Sequence, residues 1–439
     1  VVLSRHGVDA LRYSEFYGGK VELSIKVPIR GLEDFSVWYT PGVAEVCRAI
    51  MQNKDASFKL TNRWNTILIA TDGSRVLGLG DIGPEASLPV MEGKSLIFKY
   101  LGGVDAIPLP VRSSTPDELI SVIKALEPAV GGVNLEDISS PDCFYVQERL
   151  SELMEVPVWH DDQLGTASVV LAALINALKI VGKHVSDVRI VFLGAGASNI
   201  ATANLLIKYG FDPGKMILID SRGALHADRS DIDVMMTRHR WKYELALKTN
   251  RDRIDGGLTE ALEGADVLIA ASRPGPGIIT KEQIALMSSS PVVFSLANPV
   301  PEIWPWEAKD AGAAVVATGR PDFPNQVNNS LAFPAVFRGA LDVRASRITP
   351  ESMIAAANEL AKCAEERGLS NDYIVPTMEE WEIYPRVAAA VAESISRQGN
   401  ARTPLKYEEE LEQATKIITR SRKIHKLLMD NEIIQPPPP

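Results

Sequence analysis

At 439 residues the chain is longer than one hydrophobic core usually organises, and it has room for two or three domains. Its 46% hydrophobic and 23% charged residues are those of an ordinary soluble globular protein, and a formal charge of −10 speaks against a nucleic-acid partner, which needs a basic surface. Cys47, Cys143 and Cys363 are odd in number and far apart, so they suggest neither a disulfide framework nor a zinc knuckle and fit a reducing, cytoplasmic setting.

The first ten residues carry Arg5, His6 and Asp9 and lack the apolar centre of a signal peptide. Residues 1–65 mix charge with aromatics, most distinctively in Val37-Trp38-Tyr39-Thr40-Pro41-Gly42. Tyr39 precedes a Thr-Pro-Gly turn, after which Val43 to Gln52 can be helical. Its phenol reads either as a half-buried packing group or as a proton donor at a pocket mouth. Asn65 to Ala70 reads as a strand ending at Asp72-Gly73-Ser74-Arg75. The glycines from Gly78 to Gly83, followed by Leu88 to Lys94, indicate backbone folded closely around something. Lys94 is expected to open an apolar helix over Ser95 to Tyr100, where the helix dipole disfavours its charge and helps it serve as a base. Thr115-Pro116-Asp117-Glu118 is a capping box that starts a helix to about Leu126.

Ala129 to Leu135 and Val156 to Trp159 are two further apolar strands, followed by Glu136-Asp137 and by His160-Asp161-Asp162. Three strands of this half thus end in acids, and in an open α/β sheet the strand C-termini converge on one crevice. Clustered carboxylates without cysteine suit a hard divalent cation, Mg2+ or Mn2+, better than zinc. The alternative is that each acid caps the helix that follows it. Taken together, Glu136, Asp137 and Asp162 favour the metal. Glu136 and Asp137 can share an ion only if the chain turns between them, because adjacent strand residues face opposite ways.

Thr166 to Ile180 reads as a helix leading into a second domain; its run Val169 to Val181 holds Asn176 and Lys179 and fits a buried helix better than a membrane span. Next come a strand at Val188 to Leu193, a turn at Gly194-Ala195-Gly196-Ala197, a helix from Ser198 to Tyr209 and a strand at Met216 to Asp220. That is a dinucleotide-binding βαβ unit. Gly194 permits the turn, Gly196 lets backbone approach a pyrophosphate, and the helix start at Ser198, Asn199 and Ile200 offers N–H groups to the anion. Asp220 falls at about the 20-residue spacing expected for a carboxylate on the adenosine ribose. Asn199 replaces the third glycine and is expected to push the helix slightly off the sheet. Asp220 argues for NAD, and Arg222, placed to meet a 2′-phosphate, argues for NADP. Strands at Ala265 to Ala271, Pro291 to Ala297 and Ala313 to Thr318 continue the doubly wound order. After them come the amide-rich loop Gly319 to Asn329, helices over 350–429 with apolar spacing at Tyr407, Leu411, Ala414 and Ile418, and a polyproline tail, Pro436 to Pro439, expected to be disordered.

Trp38 to Val43, Asp72 to Gly83, Leu88 to Lys94, Asn134 to Asp137, His160 to Gln163, Gly194 to Ala201, Asn298-Pro299 and Asn325 to Pro334 together resemble a malic enzyme of the short bacterial and archaeal form. The resemblance implies an α/β chain with a substrate and metal domain over 1–165, a Rossmann-like NAD(P) domain over 166–345 and C-terminal helices over 346–439. It implies oxidation of L-malate and decarboxylation to pyruvate and CO2, reducing NAD or NADP, with Mg2+ or Mn2+, in a homodimer with no membrane partner. Carried over, Lys94 is the general base, Tyr39 the acid on the enolpyruvate carbon, and Asp161 orients the lysine. Glu136, Asp137 and Asp162 hold the metal, Arg75 clamps a substrate carboxylate, and Asn298 and Asn329 lie near substrate and nicotinamide. Leu164, where close relatives often carry histidine, and Ala335, where glycine is common, depart from the pattern. The competing readings are an amino-acid dehydrogenase, which has no use for the acid cluster, and a nucleotide-sensing subunit without turnover.

Overall fold

The computed structural model describes residues 5–438, so the first four residues of the N-terminal stretch and Pro439 of the tail lie outside it. In the N-terminal half, β1 (Thr66–Thr71), β2 (Asp105–Pro110), β3 (Gly132–Leu135) and β4 (Val158–His160) form a parallel sheet in the order β2-β1-β3-β4. β1 and β3 are buried along their whole length, which is why they read as mostly apolar runs, Asn134 aside. β2 escapes that reading because Pro108 and Pro110 remove ladder donors, a loss that only an edge strand such as this one tolerates.

Leu88 to Lys94 lies inside a helix that starts well before Ser95. A single 20-residue helix runs Gly83–Gly102, with proline in its first turn, Pro89 inside it and Gly103 closing it at φ 64°. Lys94 therefore sits within the helix and not at its start, and the expected dipole effect on its charge does not apply. Of the glycines that suggested close-folded backbone, Gly78 and Gly80 precede the helix and Gly83 begins it. Its buried face is Ser87, Met91, Lys94, Ser95, Phe98 and Leu101, a stripe at helical spacing on which Lys94 is the one charged member.

The second sheet has six strands: β5 (Ile190–Leu193), β6 (Met216–Asp220), β7 (Gly223–Ala224), β8 (Val267–Ala270), β9 (Val292–Ser295) and β10 (Val315–Thr318). Their order is β10-β9-β8-β5-β6-β7, parallel except for the short antiparallel β7, too brief to show a pattern in the sequence. Alternate residues face opposite ways: Ile190, Phe192, Met216 and Leu218 join the large core shared with the first domain, while Val191, Ile217 and Ile219 build a smaller core on the other face.

Between the sheets runs the helix Thr166–Val181, entered through a tight turn at Asp161–Gly165. Together these 21 residues are apolar and long enough to cross a bilayer, longer than the run singled out in the sequence. They are nevertheless packed inside the protein, with Val169 to Leu174 fully buried and Asn176 donating to the carbonyls of Ala361 and Ile374. The C-terminal helices Pro350–Arg367, Ile383–Arg397 and Tyr407–Asp430 wrap back over both halves. The last reaches the Gly83–Gly102 helix, where the Ser421 hydroxyl donates to the Lys99 carbonyl at 2.7 Å. The tail, expected to be disordered, is laid along the helix Arg5–Tyr17: Tyr17 donates to Gln435 O at 2.6 Å and Arg12 to Pro438 O at 3.2 Å.

Candidate active site

β1, β3 and β4 all point their C-terminal ends at one crevice, and each contributes the turn that follows it. After β3, Glu136 still bonds to β1 through its N–H to Ala70 O, and Asp137 then adopts φ +52°, a left-handed conformation that non-glycine residues seldom take. This is the turn that lets both carboxylates face one point. After β4, Asp161 and Asp162 enter the Asp161–Gly165 turn, and neither caps the helix beyond it with its side chain. Oxygens of Glu136, Asp137 and Asp162 all lie within 4.8 Å of one another. The main chain braces the arrangement: the Asp137 N–H donates to Asp162 Oδ2 at 2.8 Å and the Arg75 N–H to Asp137 O at 3.0 Å.

Lys94 enters from the helix above. Its Nζ lies 2.7 Å from Glu136 Oε1, donates to Asp161 Oδ2, and sits 4.5 Å over the ring of Phe333. Lys94, Glu136, Asp137 and Asp161 are all buried. Burial alone would strip the lysine of its charge, but Asp161, Glu136 and Asp162 outweigh it and hold the Lys94 pKa above the usual range. Burial, reinforced by the neighbouring acids, pushes Glu136 well up and Asp137 up to about 8. Asp137 Oδ2 is buried with no hydrogen-bond partner. An excess of buried carboxylate around one lysine, all oxygen donors and one of them unpartnered, fits a hard divalent cation.

Gly165 has no room for a Cβ, which would stand 2.0 Å from Asp161 Oδ1 and 3.1 Å from the Cβ of Asn329, so Asn329 lies beside Asp161. Arg75 is exposed, its guanidinium in no ion pair among the described residues. The Asn298 carbonyl lies 3.0 Å from where a Cβ on Gly78 would stand, which brings the Gly78 loop against the second domain. Tyr39 is 72% exposed, and its phenol pairs with none of Lys94, Glu136, Asp137, Asp161 and Asp162 among the described residues.

In the second domain Gly194 adopts φ +99°, and a Cβ there would stand 2.6 Å from Ala271 O; above Gly196 there is open space. Asn199 does not push the helix away. Its buried amide folds back and donates to Leu193 O at 3.0 Å and Gly194 O at 2.9 Å, tying helix start to strand end. Ser198 and Ile200 flank it in the first turn of the helix Ala197–Tyr209. Asp220 Oδ1 accepts from Arg229 and from the Arg222 N–H, both at 2.9 Å, and Lys242 stands 3.4 Å from Oδ2. The Arg222 guanidinium is largely exposed and paired with Asp231 at 3.0 Å.

The family model described as "Malic enzyme, N-terminal domain" matches residues 18–151, and that described as "Malic enzyme, NAD binding domain" matches residues 164–397. The chain belongs to the malic enzyme family. It is similar to the bifunctional malic/malolactic enzyme of Bacillus subtilis, 46% identical over 93% of this chain and 98% of that one, and to the NAD-dependent malic enzyme of Geobacillus stearothermophilus, 45% identical over 88% and 78%. Its fold is similar to the crystal structure of Entamoeba histolytica malic enzyme, with a TM-score of 0.95 at 43% identity, covering 100% of this chain and 93% of that one. An amino-acid dehydrogenase is thereby set aside. Leu164, within the Asp161–Gly165 turn, is half-buried against the core, and Ala335 is fully buried. Three contributors went unread in the sequence: Asn134, donating to Glu136 Oε2 at 3.0 Å, Trp159, donating to Asp161 Oδ1 at 3.3 Å, and Phe333 under Lys94. Asn134 was visible as a polar residue in an otherwise apolar strand; a buried tryptophan or phenylalanine carries no such mark.

Proposed function

We propose that this chain oxidises L-malate at C2 and decarboxylates the product to pyruvate and CO2, reducing NAD or NADP with the help of Mg2+ or Mn2+. The observation that carries the reading is the placement of Lys94 between Asp161 and Glu136, at the edge of a three-carboxylate cluster of ion-binding size. Lys94 takes the C2 hydroxyl proton as hydride leaves C2 for the nicotinamide. Asp161 aims the amine. Arg75, with its planar fork, holds a substrate carboxylate through both oxygens, and Asn298 and Asn329 position substrate against the nucleotide. Glu136, Asp137 and Asp162 hold the cation, which when bound supplies positive charge at the C2 oxygen as CO2 departs and offsets the acids that keep Lys94 protonated. The electrons of the broken C3–C4 bond remain on an enolate, and the phenol of Tyr39 returns a proton to C3.

The test is nucleotide reduction followed by absorbance, with malate and each dinucleotide in turn, before and after chelation. Malate-dependent reduction that vanishes with chelator and returns with Mn2+ is expected. No reduction of either nucleotide, or a rate indifferent to chelation, would overturn the proposal.

A further inference from the structure

The ends of β8 and β9 are closed by an acidic side chain that the chemistry above leaves unused. Glu302 is fully buried, and both of its oxygens are taken by uncharged donors. Oε1 accepts from the Ser272 N–H at 2.8 Å and the Ser272 hydroxyl at 3.1 Å, and Oε2 from the Ser295 hydroxyl at 2.8 Å and the Ala297 N–H at 3.2 Å. The Ser295 hydroxyl in turn accepts from the Glu302 N–H at 2.8 Å. Taking a carboxyl group out of water is costly unless its oxygens are hydrogen-bonded, and two donors to each oxygen meet that demand. One donor on each side is a main-chain N–H, which can only donate.

Asn298 follows Ala297 directly and is exposed. Its carboxamide forms no hydrogen bond among the described residues, so the backbone that carries it sets where it stands. That backbone leaves the sheet and returns within a few residues. Glu302 holds the Ala297 N–H at its start, Pro299 O accepts from the Arg320 guanidinium at 2.6 Å, and Val300 O accepts from the Gly275 N–H at 3.2 Å. The side chain of Asn298 then lies over Gly319, where a Cβ would stand 2.9 Å from its Nδ2. We propose that Glu302 is a positioning residue: by closing residues 297–302 on the ends of β8 and β9 it fixes where the Asn298 carboxamide meets substrate and nicotinamide. It does so as a carboxylate. A glutamine would have to turn its NH2 toward a main-chain N–H whichever way the amide is flipped, and an aspartate is one methylene short. The inference rests on the function proposed above and on the part given there to Asn298.

A double-mutant cycle decides it. Glu302→Gln is expected to lower kcat/KM for malate ~10–100-fold, because a displacement of about 1 Å at a reacting centre costs on that order. Asn298→Ala lowers it as well, and the double variant is expected to lose no more than Asn298→Ala alone, since the carboxamide that Glu302 places is then gone. Nucleotide reduction with malate and the melting temperature are measured for wild type, both single variants and the double. The melting temperature is expected to fall with Glu302→Gln by the same amount in both backgrounds, so packing and positioning are read separately. Kinetic losses that multiply in the double variant would overturn the inference, since Glu302 would then act otherwise than through Asn298. An unchanged kcat/KM in Glu302→Gln or in Asn298→Ala would overturn it too. If Glu302→Gln does not fold, Ser295→Ala, which removes one donor to Oε2, is expected to give the same pattern at smaller amplitude, and multiplying losses there would have the same force. A wild-type chain that leaves malate untouched would instead remove the function proposed above, and the inference with it.

Discussion

Lys94 holds a position that sequence alone would give to leucine or alanine, on the buried stripe of a long helix between Met91 and Phe98. An ammonium there costs several kcal/mol unless it is paired, and Asp161 and Glu136 supply the pairing. The lysine was legible in the sequence as a chemical group but at the start of a helix rather than within one, since Pro84 and Pro89 lie inside the helix Gly83–Gly102 ahead of it. Asp137 was legible on condition that the chain turned, and its φ of +52° is that turn. Asp161→Asn is expected to lower kcat by ~10²-fold or more with little change in nucleotide affinity, since it removes the group that aims the base. Steady-state rates beside a fluorescence titration with NAD(P)H would show it, and equal losses in both would point to misfolding instead.

At the scale of the element, the turn between β5 and its helix separates what folding needs from what binding needs. Gly196 has open space above it and φ −96°, so Gly196→Ala is expected to leave the melting temperature unchanged and raise the KM for NAD(P) at least ~10-fold, its methyl standing where a pyrophosphate must approach. Asn199 is the opposite case. Asn199→Ala leaves two strand-end carbonyls without their donor and is expected to cost about 1–3 kcal/mol in denaturant unfolding. A third-glycine rule applied to sequence treats any side chain there as a wedge. It cannot see that an amide of this length reaches back to the carbonyls and becomes a tie.

For the whole molecule, the doubly wound order and most parallel strands were legible because burial on both faces writes them as apolar runs. β2 with its prolines, the two-residue β7 and the course of the tail were not, since each is settled by neighbours far away in the chain. The last helix is one such neighbour. Its apolar stripe, anticipated at Ala414 and Ile418, also buries Glu410 beside Asp342, which is bound to Arg338. Burial first, then the charge of Asp342, pushes Glu410 up to about 10 from 4.5. The folded chain therefore keeps a proton that the unfolded chain releases, and stability falls as pH rises from the lower value through the higher. Glu410→Gln, neutral throughout, is expected to melt higher than wild type at about pH 9 and no higher at about pH 5. Equal shifts at both would mean that Glu410 is ionised in the fold.

The proposed chemistry depends on one cleft in which an amine and a cation share a set of acids. Anomalous scattering from crystals grown with Mn2+, NAD(P) and a non-reacting malate analogue tests that most directly. A single peak bonded to Glu136, Asp137 and Asp162 at about 2.0–2.5 Å, with the analogue between it and Lys94, is the predicted result. A peak elsewhere, or an analogue bound away from Lys94 with the three acids still turned on one another, would contradict it.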